Sequence, residues 1–124
     1  MAKKLSIQEL FMLHAERCAQ LPNMAGKQIN GTTKREYQGM NKISLYLTMK
    51  EKGFKSNEWL THDQAKAEGL VIVQGEHGTP IFNFKLVDTE AGKEKQLRYY
   101  LVFNRSQLVS AEEAQIQQEA EEAF

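Results

Sequence analysis

Several residue types and patterns that would assign this chain to a protein class are scarce or missing. A single cysteine, Cys18, excludes an internal disulfide and a thiolate metal cage. No apolar run approaches the roughly 20 residues that a transmembrane helix needs. The two lysines near the N-terminus are not followed by the apolar stretch of a signal peptide. We therefore expect a cytoplasmic protein that does not associate with a membrane.

Catalytic and cofactor-binding motifs are also missing. The chain has no H-E-x-x-H helix, no G-x-S-x-G elbow, no Walker loop and no G-x-G-x-x-G turn. His14 and Cys18 are four residues apart on a predicted helix, but no further ligand completes a metal site, and both residue types are commonly buried. Glu76 and His77 belong to a turn, where such residues are routine. We expect no enzyme, no cofactor and no metal.

The formal net charge of zero hides an uneven distribution along the chain. Residues 1–66 contain 11 Lys and Arg against 6 Asp and Glu, and residues 67–109 contain 5 of each class. Residues 110–124 contain 5 Glu and no base. The local electrostatic field, and not the net charge of the chain, decides which ligands approach a surface. The basic segment, residues 1–66, is therefore a candidate binding site for a polyanion. The alternative is that both regions are solvated faces without a ligand.

Turn signals and hydrophobic spacing predict an α+β fold in one domain of 124 residues. Helices are predicted over residues 6–20, 42–52, 61–69 and 111–123. Strands are predicted over residues 70–73, 79–87 and 96–103, the last two as an antiparallel hairpin around Glu90-Ala91-Gly92. Capping signatures at Ser6, Asn41, Thr61 and Ser110 start the helices, and Gly53 ends the second one.

The predicted architecture places the N-terminal helices on a small antiparallel sheet. Residues 1–109 form this domain, and residues 110–124 add an acidic C-terminal helix or tail. Tyr99 and Tyr100 are adjacent in the last predicted strand, so their side chains face opposite sides of the sheet. We expect one of the two in the core and the other exposed.

The segment from Gln28 to Gly69 combines bases with aromatic residues. Its aromatic residues are Tyr37, Tyr46, Phe54 and Trp59. Lys and Arg neutralise phosphates, and aromatic rings offer faces on which unpaired bases stack. This composition is typical of proteins that bind single-stranded nucleic acid.

Four pieces of sequence stand in order along the chain. They are NGTT leading to YQGMN at residues 30–41, GFKS leading to WLT at residues 53–61, QAK at residues 64–66, and VFNRSQ at residues 102–107. Together with the turn GEHG at residues 75–78, they resemble the N-terminal domain of ArdC-type antirestriction proteins, which is also found at the front of TraC-type plasmid primases. The resemblance covers about residues 24–109.

This resemblance implies binding of single-stranded DNA without sequence specificity, on mobile DNA such as plasmids or phages, in antirestriction or DNA transfer. Family members usually carry a C-terminal zinc metallopeptidase-like domain, and no zinc-binding helix occurs in these 124 residues. The chain is either a stand-alone binding domain or a fragment of a longer protein, and we expect the stand-alone domain. The absence of the second domain argues against peptidase activity and against full antirestriction activity.

The candidate interface combines cations for phosphates with aromatic and helix-start residues. Its members are Lys34, Arg35, Tyr37, Asn41, Lys42, Lys55, Trp59, Thr61, Gln64, Lys66 and Arg105. We expect Tyr37 to present an exposed ring to bases, whereas Trp59 is either a second stacking ring or part of the core. Asn41, Thr61 and Gln64 are helix caps, and the helix starts that they mark are also ready phosphate sites.

An alternative function comes from the acidic tail. Glu112, Glu113, Glu119, Glu121 and Glu122 could mimic the phosphates of DNA. The chain would then be a protein-interaction module that contacts a host restriction, defence or DNA-processing protein. The sequence leaves both functions open.

Overall fold

The computed structural model describes residues 5–19 and 26–122 of the chain. The helices are α1 (Ile7–Ala19), α2 (Gly39–Lys52), α3 (His62–Ala67) and α4 (Ala111–Glu122). The strands are β1 (Ile29–Asn30), β2 (Glu58–Thr61), β3 (Leu70–Ile72), β4 (Thr79–Thr89), β5 (Gly92–Asn104) and β6 (Leu108–Ser110). A short 3₁₀ turn, Arg105–Gln107, connects β5 to β6. The predicted α+β class is confirmed.

The main sheet has four strands in the order β1-β2-β5-β4. β1 runs parallel to β2, whereas β2 and β4 both pair antiparallel with β5. A separate two-stranded sheet joins β3 to β6. The prediction of a purely antiparallel sheet from the C-terminal half is therefore wrong. Trp59-Leu60 is a predicted extended segment, but strands of two and four residues are too short to show hydrophobic alternation, so the pattern does not reveal that β1 and β2 join the sheet from the N-terminal half.

β4 and β5 form the predicted hairpin, but it is longer than predicted. Pairing runs without interruption from Thr79 opposite Val102 to Thr89 opposite Gly92, around the two-residue turn Glu90-Ala91. The added pairs carry charged side chains, such as Lys93 opposite Asp88. Backbone pairing does not require apolar side chains where both faces of a ribbon meet solvent, and this is why the polar ends resemble loops in the sequence.

The core divides into two clusters on opposite faces of the main sheet. Leu45 of α2 packs on Trp59, Ile81 and Val102, with Tyr37, Met49 and Phe54 at the margin. The other cluster joins Leu60, Ala65, Phe103 and Leu108. We call the face that carries Trp59 the α2 face. Since neighbours along a strand alternate between faces, Trp59 and Leu60 belong to different clusters.

Trp59 is a core residue and not a base-stacking ring. Its exposed fraction is 0%, and its indole Nε1–H donates to Oε1 of the buried Gln28 over 2.7 Å. A buried Trp requires such a partner, and Gln28 supplies it from the chain just before β1. Its candidate role in binding bases is therefore wrong.

The prediction that Asn41 caps α2 is also wrong. α2 begins at Gly39 after an N-cap residue, Gln38, whose side chain makes no capping hydrogen bond. Asn41 instead accepts the backbone N–H of Phe82 over 2.9 Å and donates to the Phe82 carbonyl oxygen over 2.7 Å. Its amide thus takes the place of a strand partner at the outer edge of β4. The residue that it bonds, Phe82, lies 41 positions further along the chain.

Other local signals are confirmed. The Ser6 hydroxyl accepts the N–H of Glu9 at the start of α1, and Thr61 and Gln64 form a complete capping box at α3. Gly53 takes a left-handed conformation at the end of α2, and the Phe54 N–H donates to the carbonyl oxygen of Met49 over 2.9 Å. These features depend on residues within a few positions of one another. The predicted end of α1 at residue 20 lies outside the described residues.

α4 follows β6 and is strongly acidic. The Ser110 hydroxyl accepts the N–H of Glu113 over 3.1 Å, and the first turn carries Glu112 and Glu113. Carboxylates in this position interact favourably with the helix dipole. Within residues 5–19 and 26–122, none of the helices has the length and apolar character that crossing a membrane requires.

Candidate nucleic-acid interface

The candidate interface is built on a short loop, residues 31–36, that Asn30 organises. Its Oδ1 accepts the N–H groups of Thr32 and Thr33 over 2.9 and 3.0 Å, which folds the turn back on itself. The Asn30 N–H donates to the Arg35 carbonyl oxygen over 2.9 Å and closes the loop. Lys34 sits at its tip with φ +63°, a conformation that few residues other than glycine adopt. The loop holds Lys34 and Arg35 exposed in a defined shape.

The amide of Asn30 also ties this loop to Tyr37 and α3. Its Nδ2 lies 3.2 Å from the Tyr37 hydroxyl and 2.9 Å from Oε1 of Gln64. That same Gln64 oxygen accepts the N–H of Thr61 over 3.0 Å, while the Thr61 hydroxyl accepts the N–H of Gln64. Both polar groups at the start of α3 are thus used inside the protein. Thr61 and Gln64 position the loop and do not present a free helix start to phosphate.

Two of the predicted cations converge on one carboxylate. The Oε1 atom of Glu58 accepts from Lys34 Nζ over 3.1 Å and from Arg105 Nε over 3.0 Å. The hydrogen bond from Lys34 is the main reason that the pKa of Glu58 lies below its ordinary value; partial burial opposes it, and Arg105 adds to the lowering. Arg105 also lies 3.7 Å from the carboxylate of Glu68. These pairs hold Lys34 and Arg105 beside each other.

A second group of charges lies at the other side of the loop. Lys27 Nζ is 3.0 Å from the carboxylate of the exposed Glu36, and this contact lowers the pKa of Glu36. Lys42, near the start of α2, lowers the same pKa through its charge and so lies within electrostatic reach. Lys42 therefore belongs to the surface around the loop. Lys55 and Lys66 are exposed, but no contact among the described residues joins either of them to this surface.

Tyr37 is half-buried, so the expectation of an exposed ring is wrong. The ring packs at the margin of the Trp59 cluster, and burial of the hydroxyl raises its pKa; the Asn30 hydrogen bond lowers it, and the charge of Tyr100 raises it further. Tyr100 lies opposite Ile81 on the α2 face and is 43% exposed. The two tyrosines are therefore neighbours, and Tyr100 supplies the open aromatic surface.

Tyr99 and Tyr100 do face opposite sides of the sheet, yet neither of them is in the core. Tyr99 is 46% exposed, and its ring lies 6.2 Å from that of Phe82. The expectation that one tyrosine is buried fails because helices cover β5 incompletely at this level. We call the surface formed by Lys34, Arg35, Lys42, Arg105, Tyr37 and Tyr100 the loop–tyrosine surface.

Sequence reasoning missed three residues of this site. Asn30 resembles an ordinary turn residue next to Gly31, and Glu58 carries no motif of its own. Tyr100 was considered only for its burial. The usable signal was the position of Glu58 directly before the buried Trp59, because it places an acid next to strand β1 and the basic loop.

No group of three or more His, Cys, Asp or Glu side chains within the described residues is arranged to hold a metal ion. His14 Nδ1 lies 2.9 Å from the Ser44 hydroxyl and is half-buried between α1 and α2. The side chain of Cys18, its predicted neighbour, lies outside the described residues. The His14 contact is one between packed helices.

Comparison with known proteins identifies the fold and the family. The chain is 35% identical to DNA primase TraC of Escherichia coli over 77 residues, which are 60% of this chain and 7% of that protein. The metal-free crystal structure of antirestriction ArdC protein from the R388 plasmid superposes with a TM-score of 0.66 at 28% identity, over 81% of this chain and 39% of that one. The Mn(II)-bound structure of the same protein gives 0.64 at 30% identity, over 80% and 38%.

The chain spans well under half of each of these relatives. The family model of the N-terminal domain of anti-restriction factor ArdC matches residues 14–123, nearly the whole of the chain. The resemblance derived from the sequence pattern is thereby confirmed. The chain belongs to the family of ArdC N-terminal domains.

Proposed function

We propose that this domain binds single-stranded DNA without sequence specificity, and that the loop–tyrosine surface is where it binds. The observation that carries the proposal is that Asn30 joins the loop with its exposed cations to Tyr37, whose neighbour Tyr100 presents an exposed ring. Family membership supports an antirestriction role linked to plasmids. The names of the relatives, a DNA primase and an antirestriction protein, agree with DNA as the ligand. The proposed activity is binding and not catalysis.

The charges of this surface suit a flexible polyanion. Lys34 and Arg105 are held close together because both contact the same carboxylate oxygen of Glu58. Arg35 is exposed on the same loop as Lys34. Glu58 offsets part of their charge, so a phosphate that approaches Lys34 exchanges one anionic partner for another. The backbone of a single strand can follow such an uneven row of cations, and each phosphate contact releases condensed counterions. Binding should therefore weaken steeply as salt rises.

The aromatic part of the surface favours unpaired bases. The ring of Tyr100 is open on the α2 face, and Tyr37 is fixed beside it by Asn30. A base stacks on such a ring whatever its identity, because every base has a π-face. In a duplex the bases are already stacked and paired. A preference for single strands with little preference for sequence follows.

Charge reversal tests which cations face the DNA. The double variant Lys34→Glu/Arg35→Glu should lower affinity for a fluorescein-labelled oligonucleotide several-fold, as measured by fluorescence anisotropy. It should also reduce the slope of log K against log salt by about 1.4, since two contacts at about 0.7 each are lost. The matched control is Lys55→Glu/Lys66→Glu, which changes the net charge equally at positions away from the surface. Equal losses for both variants would contradict the assigned surface.

A second candidate function rests on α4. Each of its described side chains except Ala114 is exposed, including Glu112, Glu113 and Glu119. An exposed acidic helix resembles a row of phosphates and suits a partner that normally binds DNA. Removal of residues 111–124 separates the two functions. DNA binding by the shortened protein should be equal or tighter, whereas inhibition of a DNA-binding partner would be lost.

A further inference from the structure

The outer edge of β5 lacks a strand partner over most of its length. On one side β5 pairs with β4 from Gly92 to Val102. On its other side, β2 pairs with β5 from Trp59 opposite Asn104 to Thr61 opposite Val102, after which the chain turns into α3. Among the described residues, no strand continues β2 along residues 92–101 of β5.

Two observations establish which backbone groups this edge presents. The N–H and C=O of Phe82 point away from β5 to the amide of Asn41, so Phe82 and Tyr99 form a non-hydrogen-bonded pair. The Trp59 carbonyl oxygen accepts from Gly31, so Trp59 also directs its groups away from β5. Both observations give the same result for β5: its odd-numbered residues direct their backbone N–H and C=O groups away from β4. The groups that point outward from β5 are those of Lys93, Lys95, Leu97, Tyr99 and Leu101.

A groove runs along this edge and leaves space for another strand. It has a volume of about 560 Å³ and is lined by the consecutive residues 94–99 and by Ile7 and Gln8 of α1. A second space of about 510 Å³ continues it past Tyr100 and Leu101 to His62 and Asp63. A pairing strand lies about 4.8 Å from its neighbour. Long open edges of this kind pair with other chains unless something blocks them.

We propose that the occupant of this edge is β5 of a second copy of the chain, paired antiparallel about a two-fold axis at Gln96. In this register Lys95 of one protomer is a hydrogen-bonded neighbour of Leu97 of the other, so the outward-pointing backbone groups meet. Glu94 of each protomer then lies opposite Arg98 of the other, in a non-hydrogen-bonded pair where side chains are closest. The strand is thus complementary to itself in charge.

The pairing joins the two hairpins into one continuous sheet through their β5 strands. Within one protomer the Arg98 guanidinium donates to Gln96 Oε1 over 2.7 Å, which directs Arg98 towards the proposed axis. A two-fold contact of this kind is closed, so it gives dimers and not fibres.

Exchange of the two charges tests the register. Glu94→Arg and Arg98→Glu should each place like charges opposite one another at two positions of the dimer, and each should raise the dimer dissociation constant at least about tenfold. The double variant Glu94→Arg/Arg98→Glu restores both pairs and should restore the dimer. Both side chains are exposed and lie opposite the neutral residues Val87 and Asn83, so the variants should remain folded.

The readout is mass by sedimentation velocity or light scattering over a range of protein concentrations, with circular dichroism to check folding. Dimers of the unaltered chain that the single variants dissociate and the double variant restores support the proposal. An unaltered chain that stays monomeric at every concentration overturns it and leaves the edge to a strand from a different protein. Single variants that dimerise as well as the unaltered chain overturn it too.

A cysteine pair gives an independent test. In a Cys18→Ser background, Gln96→Cys places two thiols at the axis, where facing Cα atoms of a non-hydrogen-bonded pair are about 4.5 Å apart and within disulfide range. Mild oxidation should convert this variant to a covalent dimer. The control is Lys85→Cys, which lies directly opposite Gln96 on β4 and away from the axis. Equal cross-linking of both variants, or of neither, contradicts the proposed pairing.

Discussion

The two ends of the β4–β5 hairpin share one backbone ladder but differ in what covers them. At the base, α2 and β2 cover Ile81 and Val102, which are 2% and 0% exposed. Towards the turn, Phe84 and Leu86 lie on the same strand as Ile81 and are mostly exposed. Apolar residue type therefore does not distinguish the two ends. Burial is decided by the helices and strands that reach each segment.

The same difference separates structural from ligand-binding aromatic residues. Trp59, which the sequence leaves open as a second stacking ring, lies under α2 and donates a hydrogen bond to Gln28. Tyr100, which resembles ordinary strand packing in the sequence, is left open beside Tyr37. The covered base of the hairpin should thus determine stability, and the uncovered positions should determine binding.

Truncation of a core aromatic residue should have the largest effect on stability. Trp59→Ala should lower the free energy of unfolding by about 3–5 kcal/mol, because it leaves a cavity and an unpaired Gln28 amide. Leu86→Ala, near the turn, should cost less than about 0.5 kcal/mol. Urea titration followed by circular dichroism measures both. Similar costs for the two variants would show that the ends of the hairpin do not differ as described.

The two adjacent tyrosines sharpen the comparison for binding. Tyr100→Ala should weaken single-stranded DNA binding by about 1–3 kcal/mol, the range for loss of one base–aromatic contact. Tyr99→Ala is the matched control, because it removes an equally exposed ring from the opposite face. Fluorescence anisotropy at fixed salt measures both. A larger loss for Tyr99→Ala would move the binding surface to the other face of the sheet.

A substitution of Asn41 tests whether the stability of the hairpin base depends on hydrogen bonds between distant residues. Asn41→Ala should cost about 1–3 kcal/mol of unfolding free energy, because it leaves the Phe82 N–H and C=O at the edge of β4 without their partner. Gln38→Ala, at the true N-cap position, removes no capping hydrogen bond and should cost far less. Thermal unfolding compares the two. A larger loss of stability for Gln38→Ala than for Asn41→Ala would show that a helix cap, and not the contact of Asn41 with β4, stabilises this region.

The smallest expected effect concerns pH. The folded pKa of Glu58 is lowered from 4.5 by Lys34 and Arg105, so the carboxylate contributes stability above that value and loses the contribution as pH falls through the folded pKa. Because the pair is partly exposed, the contribution should not exceed about 1 kcal/mol. Glu58→Gln should be less stable than the unaltered chain at pH 7, and the difference should shrink as the pH falls below 4.5 and through the folded pKa of Glu58. A constant difference across that range would exclude the ion pairs as its cause.

The features predicted correctly from the sequence are local ones. The capping box of Thr61 and Gln64, the end of α2 at Gly53 and the hairpin turn each depend on neighbouring residues. The wrong assignments of single residues depend on contacts between distant residues. Asn41 has a cap-like position, but its bonding partner lies 41 residues away, and the burial of Trp59 depends on α2 and β5.

The sequence motif itself has a structural explanation. Asn30, Trp59, Gln64 and Asn104 are motif residues whose side chains are occupied by hydrogen bonds within the protein. The motif therefore identifies the family through its scaffold. Lys34, Arg35 and Lys42 lie between these positions, and Arg105 directly follows Asn104. Their exposure follows from residue type, but their grouping around Glu58 required the fold.

The most direct test of the central claim is a titration of the unaltered domain with a labelled single-stranded oligonucleotide and with the matching duplex, each at low and at physiological salt. The account predicts tighter binding to the single strand, with affinity that falls steeply with salt and changes little with sequence. Absence of binding to the single strand at low salt, or a preference for the duplex, would contradict it.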